Sequence, residues 1–228
     1  WVEMSTTDSQ EVIRLSKLVE EKHGYAADAP VSGGCHRAAT GNISIFAGCD
    51  RATFERLLPL LSVMGRRVLH TGELGSASKL KVMTNYLATA NLVAVTEALA
   101  ACAKVGLDLG VAYEAIAASS GTSFVHETEG QVILNGSRDI NFTMDLVKKD
   151  VGLFISMAAE AGMQLELADL VAGIFDDGIE RYGPREWSPN IIRRLEDDYG
   201  IDVVAPGFPA EMVDTEPEEL GGEVRVRR

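Results

Sequence analysis

Between Ser78 and Val105 the chain contains neither glycine nor proline and is rich in Ala, Leu and Val. At 1.5 Å rise per residue this stretch predicts a helix about 40 Å long. It is apolar nearly all round, so neighbouring elements or a partner chain must cover it. Everything else in the chain has to be arranged around one long buried helix.

The pattern on either side differs. Before residue 72, "WVEM", "GYAADAPV", "NISIFAG" and "RRVLHTG" read as strands, alternating with the helical patterns "VIRLSKLVEEKH" and "RATFERLLPLLSVMG". That alternation predicts α/β architecture. After residue 73 no strand is visible up to residue 200. Helices are expected at 110–118, 123–135, 143–161, 164–182 and 188–198. The predicted organisation is an α/β segment over 1–72, an all-helical domain over 73–200, and an acidic, proline-containing tail over 201–228. From Leu195 onward there are ten acidic and three basic residues and three of the seven prolines. Such a tail is expected to wrap loosely or stay solvated, with a regulatory role as the alternative.

The net charge of −13 disfavours non-specific binding to nucleic acid or to an anionic membrane. No run resembles a signal peptide, and no uninterrupted apolar stretch has the roughly 18 residues of a membrane span. Three cysteines without CxxC spacing and four scattered histidines predict neither a disulfide framework nor a metal site, and a cytoplasmic setting fits.

Three stretches carry chemistry. In "DAPVSGG", Asp28 to Gly34, a proline-stiffened strand runs into a serine and two glycines. Such a turn exposes backbone N–H groups that can hold a carboxylate, although an ordinary strand exit reads the same way. In "GSASKLKVMTNYLATANL", Lys81 and Asn85 are four residues apart and share one helix face. A buried lysine has a lowered pKa and suits proton transfer near neutrality. The alternative is that Lys81 snorkels at the helix end. In "MDLVKKDVGLF", the pair Lys149-Asp150 reads by itself as a solvated surface feature.

Taken in this order, the stretches resemble the β-hydroxyacid dehydrogenase family, which includes 3-hydroxyisobutyrate dehydrogenase and tartronate semialdehyde reductase. The resemblance covers roughly residues 1 to 180. It implies the C-terminal remainder of a Rossmann-type domain followed by an all-helical dimerisation and substrate domain. It also implies NAD or NADP as cofactor, a small carboxylate substrate, and a homodimer or homotetramer. Ser32, Gly33 and Gly34 look like the loop that binds the substrate carboxylate. Lys81 looks like the acid/base and Asn85 like the substrate-orienting amide. Lys149 and Thr6 resemble residues near the nicotinamide end of the cofactor, and Gly121 and Ser123 a turn beside the pocket. The activity implied is interconversion of a small β-hydroxyacid and its semialdehyde or keto acid. A non-catalytic oligomerisation module or fragment derived from such an enzyme is the alternative.

The departures are specific. Ala77 stands for the second glycine of the catalytic stretch, Thr84 for the first asparagine, and His36 for a common glycine; "GPREWS" replaces the usual C-terminal pattern. Thr84 also weakens any resemblance to 6-phosphogluconate dehydrogenases, which carry histidine there. Imine reductases generally lack the lysine. No G-x-G-x-x-G occurs in the 228 residues, and that turn is what holds the dinucleotide pyrophosphate. The reading is of a family member without about its first hundred residues, whether as a fragment, as part of a longer protein or as a natural remnant.

Overall fold

The computed structural model describes residues 1–225. The chain forms two compact units. One comprises Trp1–Thr84 together with the segment from Val213 onward, and the other Asn85–Met212.

The first unit is built on a mixed sheet. Its strands are β1 (Val2–Glu3), β2 (Ala27–Asp28), β3 (Val31–Ser32), β4 (Ser44–Gly48), β5 (Arg67–Gly72) and β6 (Gly222–Glu223), in the order β1-β2-β4-β5-β6 with β3 also on β4. β1 lies parallel to β2, and β4, β5 and β6 run parallel to one another. β2 and β3 both run antiparallel to β4, with Asp28 opposite Gly48, Val31 opposite Ile45 and Ser32 opposite Ser44. That shared register makes β2 and β3 one path interrupted at Ala29-Pro30. Pro30 has no N–H to give the ladder, but its carbonyl still accepts from Phe46 N–H at 3.0 Å.

Helices α1 (Ser9–Glu20) and α3 (Arg51–Met64) start at aspartate caps. Asp8 accepts from Gln10 N–H, and Asp50 accepts from Thr53 N–H, each filling an orphan donor of a first turn. The core of this unit gathers Ala27, Ile45, Ala47, Phe54, Leu61 and Val68.

Two elements here were not legible beforehand. The loop expected after "DAPVSGG" winds into helix α2 (Gly34–Thr40). Gly33 at φ +134° and Gly34 at φ +84° turn the chain in a region closed to most side chains, and the residues after them are free to wind. Residues 213–225 of the tail expected to be loose join the first unit instead, because their acids meet arginines. Glu216 bonds Arg37 and Arg66, Glu219 bonds Arg66, and Glu223 takes both Arg51 nitrogens Nη1 and Nη2.

The second unit is helical. It holds most of α4 (Ser76–Lys104), then α5 (Leu109–Ala117), α6 (Phe124–Asn135), α7 (Met144–Glu160), α8 (Glu166–Tyr182), a 3-10 turn over Ser188–Ile192, and α9 (Arg193–Tyr199). Asp108 and Ser123 cap α5 and α6. Leu92, Val95 and Leu99 of α4 bury with Ile133, Met144, Val147, Phe175 and Ile192 in one core. By length and mean hydropathy (1.4) α4 is long and apolar enough to cross a membrane. One side of it is buried in this core, while Leu80, Met83 and Leu87 stay exposed.

Candidate active site

The long helix starts where a distant strand caps it. Asp28, fully buried on β2, accepts from Gly75 N–H at 2.8 Å and from Ser78 N–H at 2.6 Å. A carboxylate on the first N–H groups of a helix satisfies orphan donors and complements the helix dipole. Glycine opposite it leaves room for that carboxylate. A Cβ on Gly48 would lie 2.4 Å from Asp28 Oδ1 and 2.9 Å from Ser76 Oγ. The first residue of "DAPVSGG" therefore ties that segment to the first turn of α4. Sequence reasoning gave Asp28 no role.

Lys81 follows on the second turn of α4 and is only 8% exposed, which argues against snorkelling. Its carbonyl accepts from Thr84 Oγ1, so the threonine standing in place of asparagine is turned back onto the helix backbone. Asn85 is one further turn along, which sets the Cβ atoms of Lys81 and Asn85 about 5–6 Å apart.

Within the second unit Asn85, Lys149 and Asp150 come together. Asn85 Nδ2 donates to Asp150 Oδ2 at 2.6 Å, and Lys149 Nζ pairs with Asp150 Oδ1 at 3.0 Å. The lysine side chain is 46% exposed and the aspartate 2%. The solvated pair expected from sequence is corrected on this point: Asp150 is interior, because α7 buries Met144, Val147 and Val151 on the same side. That helical spacing was the signal that could have found it. Asp150 thus fixes the Asn85 amide through its nitrogen, the end of the amide that donates.

The remaining candidates are spread over both units. Ser32 ends β3, Gly33 and Gly34 open α2, and Thr6 lies in the bend after β1. Ser123 is occupied as the α6 cap, and Gly121 N–H donates to Ser119 Oγ. His36, beside the glycine turn, has its pKa lowered, mainly by burial and further by Arg37, against an opposing pull from Asp214.

Comparison with known proteins bears directly on these features. Residues 75–195 match the family model described as NAD-binding of NADP-dependent 3-hydroxyisobutyrate dehydrogenase, and residues 1–72 match the NAD binding domain of 6-phosphogluconate dehydrogenase. The chain belongs to the β-hydroxyacid dehydrogenase family. Its relatives are NAD(P)-dependent oxidoreductases acting on CH–OH groups. The chain is 32% identical over 203 residues to 2-(hydroxymethyl)glutarate dehydrogenase of Eubacterium barkeri, covering 89% of this chain and 67% of that protein. It is 32% identical over 164 residues to 2-hydroxy-3-oxopropionate reductase of Escherichia coli, covering 72% of this chain and 56% of that protein. The crystal structure of 3-hydroxyisobutyrate dehydrogenase from Salmonella typhimurium superposes with a TM-score of 0.78 at 27% identity, covering 85% of this chain and 68% of that one. The chain thus spans between about half and two-thirds of the curated relatives it matches. The family membership agrees with the α/β-then-helical organisation of this β-hydroxyacid dehydrogenase chain.

Proposed function

We propose that this chain is the substrate-handling portion of an NAD(P)-dependent dehydrogenase that interconverts a small β-hydroxyacid and its semialdehyde or keto acid. The observation that carries the reading is the Asp28 cap. It fixes the start of the helix bearing Lys81 to the strand that leads into Ser32, Gly33 and Gly34.

In the oxidation direction the neutral Lys81 amine accepts the proton of the substrate hydroxyl. In reduction the Lys81 ammonium donates that proton to the carbonyl oxygen. Ser32 and the amides of Gly33 and Gly34 hold the carboxylate, and the Asn85 amide, oriented by Asp150, holds the substrate in place for transfer. On this reading Thr6 of the first unit and the half-exposed Lys149 of the second, paired with Asp150, would each contact the nicotinamide end of a dinucleotide, as the family resemblance implies. The pyrophosphate turn is not among the 228 residues. When bound, the dinucleotide supplies the hydride chemistry.

A homodimer or homotetramer joined through the helical region after residue 73 belongs to the same reading, supported by the exposed Leu80, Met83 and Leu87 of α4. So does a cytoplasmic setting, supported by three free cysteines.

The test is Lys81→Met in the full protein, assayed with 2-(hydroxymethyl)glutarate, L-threonate and 3-hydroxyisobutyrate and with both NAD and NADP. Methionine keeps the apolar stem and removes the proton carrier. Turnover is expected to fall about 10²- to 10⁴-fold, with circular dichroism unchanged. A folded variant keeping more than a tenth of normal turnover assigns the proton to another group. If the unsubstituted protein turns over none of the panel, the non-catalytic module becomes the better description.

A further inference from the structure

The tail beyond residue 212 lies outside the family match, which ends at residue 195. Yet two of its acids, Asp214 and Glu216, reach the short helix α2 and Asn42 just past its end. Asp214 Oδ2 accepts from Thr40 Oγ1 at 2.5 Å and from Asn42 Nδ2 at 2.6 Å, and Oδ1 accepts from Glu216 N–H at 3.1 Å. Asn42 Nδ2 also donates to the Glu216 carbonyl at 3.1 Å. Glu216 Oε1 pairs with Arg37 at 2.6 Å while Oε2 pairs with Arg66 at 2.8 Å. Thr40 and Asn42 stand at the end of α2, and Arg37 stands at its middle.

Arg37 extends the chain of contacts to the glycine turn. A Cβ built on Gly33 would lie 3.2 Å from Arg37 Cδ and 3.5 Å from its Cβ. The arginine stem therefore rests on Gly33 while its guanidinium is held by the tail. A seven-residue helix is too short to be stable by itself. Its position must come from whatever it is tied to, and the tail supplies ties at both its middle and its end.

We propose that Asp214 and Glu216 are positioning residues for the carboxylate-binding turn, with the tail acting as a strap that sets α2 and, through Arg37, Gly33. The inference rests on the reading of Ser32–Gly34 as the substrate loop. It adds to that reading a segment for which the family match supplies no counterpart. The two carboxylates act through α2 and do not touch substrate. The hydrogen bonds from Thr40 and Asn42 hold the Asp214 carboxyl down to about 2, so Asp214 is charged throughout the neutral range.

The experiment compares the full protein with an Asp214→Ala/Glu216→Ala double variant by hydrogen–deuterium exchange and steady-state kinetics. Exchange across residues 33–42 is expected to speed up about tenfold, with β4, β5 and the helical unit within twofold of the unsubstituted protein. KM for whichever panel substrate turns over is expected to rise about three- to tenfold, the range open to partly exposed charge contacts. The kcat and the cofactor KM should stay within twofold. Asp214→Asn keeps an acceptor for Thr40 and Asn42 and should restore most of the protection. Unchanged exchange across 33–42, or faster exchange spread evenly over the whole first unit, overturns the strap. Loosened α2 with an unchanged substrate KM overturns its role in positioning. If no panel substrate is turned over, the functional reading fails and exchange alone decides whether the strap exists.

Discussion

Replacing Asp28 by alanine removes the carboxylate that starts α4. Two backbone donors, Gly75 N–H and Ser78 N–H, then lose their acceptor in a site with no solvent access. A hydrogen bond to a charged group contributes about 1.5–3 kcal/mol, and a buried donor left unsatisfied costs a similar amount. For two such bonds the expected loss is about 3–5 kcal/mol, a large share of the roughly 5–15 kcal/mol that holds a domain together. At about 2–4 °C per kcal/mol for a chain of this size, the thermal transition of the protein should fall by about 6–20 °C. Asp28→Asn should fall less, since one oxygen acceptor remains, but its NH₂ then faces a second donor. Scanning calorimetry measures the shift, and hydrogen exchange at Gly75 and Ser78 locates it. A drop below about 2 °C in Asp28→Ala, with those amides still protected, would refute the argument that this carboxylate caps the helix.

Two other outcomes follow from the same structure. The hydrogen bonds from Thr40 and Asn42 lower the Asp214 carboxyl from 3.8 to about 2, so its contribution is present above pH 4 and is lost as pH falls toward 2; exchange across the tail should accelerate in that window, and Asp214→Asn should reduce the acceleration, leaving the share of the other paired tail carboxylates. Burial, reinforced by the neighbouring acids Asp50, Asp28 and Glu73, raises the Cys49 thiol to about 11. Iodoacetamide at pH 8 is therefore expected to label the exposed Cys35 and leave Cys49 unmodified; equal labelling in the folded protein, read by peptide mass, contradicts that.

The long helix was legible to within two residues, 78–105 expected and Ser76–Lys104 found, because Gly75 and Gly106 flank it and no glycine or proline lies inside. The helices after it were also legible, since their apolar spacing repeats over several turns. The site was legible where it is local: Lys81 and Asn85 share a face by spacing alone. Their proposed roles came from resemblance, which spacing could not supply. Asp28 and Asp150 stayed hidden because their partners are remote. Asp28 meets Gly75 and Ser78 some 47 and 50 residues away, and Asp150 meets Asn85 across 65. An acidic residue in isolation looks solvated, and only the fold shows what it faces. The tail misled for the same reason. Its acids read as a charged, open segment until Arg37, Arg51 and Arg66, more than a hundred residues earlier, are brought beside them.

The last strand also guards a border. β6 pairs with β5 at Arg67 and Val68, where Gly222 N–H reaches the Arg66 carbonyl and Val224 N–H the Val68 carbonyl. Without that pairing β5 would become the outer strand of the sheet, with its buried Val68 next to open backbone groups. Unpaired strand edges recruit other chains. A version trimmed at residue 195, where the family match stops, would keep every candidate catalytic residue and still present this edge. Its failure would then show as aggregation and poor yield, which in a screen for activity passes easily for a missing catalytic group.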